Sequence, residues 1–269
     1  MNENWMTLFR EAIERYYANP HDPFMDWFAR VRKEGGFVDD VHSVSTILTN
    51  ARFDQGGIPA EQALQNTISV FGILAQAEIE GQRVPPIVAP PRLKISNEQW
   101  LRLFVAAFPA IKEKALRIVK VHDWSADKLQ DEIDQIPWIG PKTARLAVRW
   151  IHELMPRSIT INMSNARVPV DTLLYRVASR LGILEPRSDV YSGAESPADK
   201  KIQQFARKAY PTYPVRIDEP MWRMGRRQQD GGHCYPTNPS CKGYLFESFC
   251  PRLNMSLDPS SIGIKIGTF

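Results

Sequence analysis

Apolar residues recur along this chain at helical spacing and hardly ever alternate. Trp5, Leu8, Phe9, Ile13 and Tyr17 share one face of a helix predicted over 4–18. Asn19-Pro20-His21-Asp22-Pro23 breaks it, and Phe24, Trp27, Phe28 and Val31 resume the pattern as far as Gly35-Gly36. This aromatic stripe reads as core packing. Val44, Ile47 and Leu48 predict a buried helix over 41–51, ended by the polar loop from Arg52 to Gly57. Pro59 opens a helix carrying Ala63, Ile68, Phe71 and Leu74, and the aperiodic stretch from Gly81 to Pro91 is a loop. Helices are expected over 96–108, 110–121 and 125–135. Between Pro156 and Val168 the chain is irregular, with a brief extended Ile159-Thr160-Ile161. Asp171 stands as an N-cap before Leu173, Leu174, Val177, Ala178 and Leu181, and further helices are expected over 196–209 and 219–227. The expected class is therefore all-α.

Composition narrows the reading only modestly. The 269 residues suit one large domain or two small ones, and 43% of them are hydrophobic, enough for a sizeable core. No apolar run approaches a membrane span, so no membrane partner is expected. Met-Asn-Glu-Asn-Trp lacks a basic region followed by an apolar stretch, so no signal peptide is expected, and an intracellular location (cytoplasm or nucleoid) follows as an expectation. A net charge of +4 and a pI near 8.9 permit nucleic-acid binding through a local footprint. The 3 cysteines all lie near the C-terminus; an odd count favours a metal or cluster site over a disulfide framework.

One stretch organises the rest: Ile136-Pro-Trp-Ile-Gly-Pro-Lys-Thr-Ala144. Pro137 stops one helix, Gly140 is expected to supply the turn, and Pro141 opens the next helix, where its missing N–H is harmless. Backbone N–H groups at such a helix start suit an anion, a phosphate above all. Lys142 sits on the first turn beside that position.

Three motifs in order resemble the endonuclease III family, the helix-hairpin-helix DNA glycosylases. They are the 136–144 stretch, Val168-Pro-Val-Asp-Thr172 followed by Tyr175-Arg176-Val177, and a terminal cysteine cluster. The resemblance covers roughly 41–251 and is strongest over 130–181. It implies a two-domain all-helical fold with a central cleft: a six-helix barrel domain over 41–155 that includes the hairpin, a second domain from 1–40 plus 156–253, and a tail over 254–269. It also implies a bifunctional DNA glycosylase with abasic-site lyase activity, acting in base excision repair. The partner would be duplex DNA with a damaged base or an abasic site, and the protein a monomer. Lys142 and Asp171 match the catalytic pair. The hairpin residues Trp138, Ile139, Gly140 and Thr143 match the DNA grip, and the loop around Thr49–Asp54 matches the segment that fills the gap left by a flipped base, with Asn50 or Arg52 as the filler. An ordinary inter-helix loop is the alternative there.

Two departures stand out. Trp138 occupies a position usually held by glycine. Either its backbone stays in an ordinary region and the ring packs on the hairpin, the favoured expectation, or the ring touches a DNA sugar or base. The cysteines read Cys234-x6-Cys241-x2-Tyr244-x5-Cys250, with Tyr244 where a [4Fe–4S] pattern has its third cysteine. Three readings stay open: a cluster with an incomplete cysteine set and Tyr244 or water as the oxygen ligand, zinc completed by His233, or no metal. The loop between Cys234 and Cys241 carries no basic residue, so Arg223, Arg226, Arg227 and Arg252 become the candidates for phosphate contact. The rival reading is a helix-hairpin-helix DNA-binding protein without chemistry.

Overall fold

The computed structural model describes residues 3–18, 39–53, 62–68, 89, 94–185, 188–226, 232–235 and 239–251. The expectations for 24–36, 54–57, Phe71, Leu74, Arg227, Arg252 and the tail over 254–269 lie outside these residues, as does most of 81–91. Among the described residues, nine helices and one pair of three-residue strands make up the α and β structure. The protein is predominantly helical, as its periodicity predicts. Contacts divide it into two compact units, one holding residues 39–162 and the other 3–18 with 163–251.

The first unit contains α2 (Asp40–Phe53), α3 (62–68), α4 (Asn97–Val121), α5 (Ala126–Asp134) and α6 (Pro141–Leu154). α4 starts on a capping box, with Gln99 N–H donating to Ser96 Oγ at 3.1 Å and Ser96 N–H to Gln99 Oε1 at 2.9 Å. A break was expected near Pro109, yet α4 is one helix of 25 residues with Pro109 inside it. Proline removes one backbone bond there. The buried stripe Trp100, Phe104, Ala107, Ile111, Ala115 and Ile118 runs through the site unbroken, and its packing against α2 and α5 holds the helix together. Ile68 of α3 is exposed.

Strand β1 (Asp123–Ser125) pairs in parallel with β2 (Thr160–Asn162). That pairing ties the extended stretch near Ile161 to the first unit. The division between the two units falls at 162/163.

The second unit contains α1 (Glu3–Ala18), α7 (Thr172–Arg180), α8 (Pro197–Ala209) and α9 (Asp218–Gly225). Phe9 stacks on both Trp5 and Phe246 at 5.5 Å and meets Phe205 edge-on at 4.9 Å. One aromatic cluster thus joins the N-terminal helix to the cysteine segment near the C-terminus. Arg10 adds a polar clasp, donating to the carbonyls of Ala209 and Lys208 at the C-terminal end of α8, where a cation is favoured.

Candidate functional site

Lys142 lies in the first unit and Asp171 in the second. In the first unit, α5 and α6 pack together across the 135–140 connection. Ile136 and Ile139 are both buried, and Ile139 N–H donates to Ile136 O at 3.0 Å. Between them the chain has little freedom. Trp138 takes the left-handed conformation at φ 70° and is 53% exposed.

This overturns the favoured expectation of ordinary backbone at Trp138, and also the assignment of the turn to Gly140. The left-handed residue is Trp138, at a cost on the order of 1–2 kcal/mol for a residue with a Cβ. Gly140 is extended, at φ −91° and ψ 173°, and serves as the N-cap of α6 without a side chain to cap it. A Cβ built on Gly140 would meet no atom within 4 Å. Neither its backbone nor its neighbours within the protein therefore require glycine. Pro141 occupies the first turn, and Ala144 N–H makes the first intrahelical bond, to Gly140 O at 2.9 Å. Lys142 is half-buried on this turn. Thr143 is buried and turns its hydroxyl back onto Gly140 O at 2.9 Å. Ile139 and Thr143 thus do not present their side chains to an outside ligand, and the Ile139 N–H is itself engaged within the turn.

The gap-filling segment also reads differently. Thr49–Phe53 is the last part of α2, not a loop. Asn50 is buried and accepts from Thr67 Oγ1 at 3.1 Å. Arg52 is fully buried; its guanidinium donates to the carbonyls of Pro137 and, at 3.1 Å, Leu103, and lies over the rings of Trp100 and Phe104. Burial pulls its pKa down to about 10, so it stays charged at neutral pH. Both residues are committed to the interior. Arg52 acts on the hairpin from inside, holding the carbonyl that immediately precedes Trp138. Sequence marked the position but assigned it the wrong direction, since a charged residue at a predicted helix end reads as solvated.

In the second unit, Asp171 caps α7. Its Oδ1 accepts from Leu173 N–H and Leu174 N–H, each at 2.9 Å. The approach to it is fixed by residues that the sequence did not single out. Gln203 pairs with both backbone groups of Val168, at 2.7 and 2.9 Å, and Tyr191 donates to Val170 O at 2.7 Å. Arg176, one turn into α7, donates to Gly225 O and Cys234 O, each at 3.1 Å. Behind Asp171, α7 meets α9 at very close range: a Cβ on Gly225 would lie 2.8 Å from Leu173 Cβ and 2.9 Å from Leu173 O.

His233, Cys234, Cys241, Tyr244 and Cys250 line one small pocket with Arg180 and Pro239. Arg180 grips two of the thiols: its Nη1 donates to Cys234 Sγ at 3.1 Å, and its carbonyl accepts from Cys250 Sγ at 3.6 Å. Tyr244 is buried edge-on against Phe246 at 5.4 Å, and its Oη has no hydrogen-bond partner among the described residues. Burial, and then the nearby Cys234 and Cys250, push this phenol well above its ordinary value. Among the described residues no three His, Cys, Asp or Glu side chains are arranged to hold one metal ion. A cluster held here would draw on the thiols of Cys234, Cys241 and Cys250.

Of the arginines proposed for phosphate contact, Arg223 pairs with Glu219 at 2.9 Å and Arg226 lies over the Trp222 ring at 4.9 Å. No family model, no curated protein and no solved structure matches this chain.

Proposed function

We propose that this protein is a DNA glycosylase with abasic-site lyase activity. It would grip the phosphate backbone of duplex DNA through the 136–144 hairpin. The observation that supports this most directly is the start of α6. No side chain caps it, no described residue lies where a Cβ on Gly140 would stand, and Lys142 is on the first turn. An uncapped helix start with open approach suits a phosphate oxygen. A Cβ at Gly140 would stand where the phosphate comes closest.

In this reading Lys142 Nζ, once deprotonated, attacks C1′ of the damaged nucleotide. The C1′–N bond breaks and the base leaves with the bonding electron pair and a proton. Positive charge that develops on the sugar calls for a nearby carboxylate, the role that the resemblance gives to Asp171. Ring opening gives an imine between Nζ and C1′. Loss of the C2′ proton then expels the 3′ phosphate.

The test is borohydride trapping on duplex DNA containing an abasic site. Reduction of the imine gives a covalent adduct in the wild type and none in Lys142→Ala. Absence of the wild-type adduct, or equal trapping by the variant, refutes the lyase chemistry. The second reading, a DNA-binding protein without chemistry, draws on Asp171, whose Oδ1 is already engaged in capping α7. Binding of abasic DNA without nicking would select it. A panel of duplexes, each carrying one damaged base, then identifies the substrate.

A further inference from the structure

The hairpin holds one feature that phosphate binding does not use. Trp138 is the most exposed of the large hydrophobic residues among those described, at 53%. It also occupies the one position in the turn where a side chain is strained, at φ 70°. Glycine would remove both penalties at once. The strain is imposed from two sides: buried Ile136 and Ile139 anchor the turn, and Arg52 holds the Pro137 carbonyl from the interior. A residue kept in a sparsely populated conformation marks a surrounding structure that dictates it, and such residues gather at binding sites. The same construction keeps the indole presented to solvent two residues before the start of α6.

We propose that Trp138 is a stacking residue, whose indole face receives a nucleobase exposed beside the gripped phosphate. This rests on the reading of the hairpin as a nucleic-acid grip and names a base contact within it. The ligand it calls for combines an anion at the helix start with a flat ring beside Trp138, two residues earlier, which is a nucleotide with its base unstacked. An aromatic face accepts any base, since every base has a π-face. The contact therefore adds affinity for unpaired or distorted DNA without adding sequence preference.

The experiment measures binding by fluorescence anisotropy on three DNAs: an intact duplex, the same duplex with a stable abasic analogue, and a single strand. Wild type, Trp138→Phe and Trp138→Gly are compared, with thermal melting of each. Trp138→Gly is expected to lose about 5- to 150-fold in affinity for the abasic duplex and the single strand, the range that base–aromatic stacking supplies. Its loss on intact duplex is expected to be under about twofold, because paired bases do not reach the ring. Trp138→Phe is expected to recover most of the affinity. Melting of Trp138→Gly is expected to match or exceed that of wild type, because the left-handed strain is relieved. Unchanged affinity of Trp138→Gly on the abasic duplex overturns the stacking role and leaves the grip intact. An equal loss on all three DNAs with lowered melting overturns it in favour of a structural ring. If the wild type binds none of the three, the grip itself is wrong and the stacking role falls with it.

Discussion

Replacing Gly225 by alanine tests whether the packing of α7 on α9 supports Asp171. The new Cβ would start 2.8 Å from Leu173 Cβ and 2.9 Å from Leu173 O. Ordinary contacts begin near 3.4 Å, so the helices must separate by about half an ångström or Leu173 must shift by as much. Backbone is involved on both sides, so rotamer changes do not relieve the clash. Overpacking of this kind costs about 1–3 kcal/mol. Alanine recovers at most about 1 kcal/mol of helix propensity, and less at Gly225, the final residue of α9. The expected net loss is about 1–2 kcal/mol, or a fall in Tm of roughly 2–8 °C for a protein of this size. The displaced residue also donates its amide to Asp171, so the cap loosens with it. Circular dichroism melts of wild type and Gly225→Ala give the measurement. A variant that melts at or above wild type refutes the close approach and, with it, this support for Asp171.

Gly140→Ala is the counterpart: nothing lies within 4 Å of its Cβ, so stability should stay within about 0.5 kcal/mol of wild type. Its affinity for duplex DNA should nonetheless fall; unchanged binding in a titration would count against phosphate contact at the start of α6. Asp171→Asn keeps an amide oxygen for the α7 cap, whereas Asp171→Ala removes it and should lose about 1 kcal/mol in a denaturant titration. If the carboxylate acts in catalysis, both variants lose base release although only the alanine melts early; retained release in Asp171→Asn rules the charge out. Among the described residues the buried Tyr244 hydroxyl has at most the weak Cys234 thiol beside it, so Tm of Tyr244→Phe should hold or rise, and a drop of several degrees would reveal a stronger bond or a ligand that the phenol makes. Arg216 holds the Glu14 carboxyl below its ordinary 4.5, so the bridge adds stability above that pH and loses it as pH falls through the folded value. Glu14→Gln should therefore cost under about 1 kcal/mol at neutral pH, a gap that closes below about pH 4.5; a gap that persists in acid would mean that the charge is not its source.

The sequence by itself determined the helical class, because period and caps are local. Asp171 caps α7 as its place before Leu173 and Leu174 requires, and Pro141 opens α6 as proline does at a first turn. It also singled out the hairpin, the capping aspartate and the cysteines as the chemically suggestive residues. Direction and neighbourhood came only from the tertiary structure. Arg52 turns inward because the ring faces of Trp100 and Phe104 and two backbone carbonyls are available there, none near it in the chain. α4 runs through Pro109 because its buried stripe outweighs one missing backbone bond. Gln203, Tyr191 and Gly225 support the approach to Asp171 from 20 or more positions away, and no local pattern marks them. At the opening stretch, Gly140 carried the signal of a turn, yet the anchors at Ile136 and Ile139 and the hold of Arg52 on Pro137 place the left-handed residue at Trp138. Which residue of a turn bears the strain is decided by what grips the turn from inside, and that information is spread over the fold.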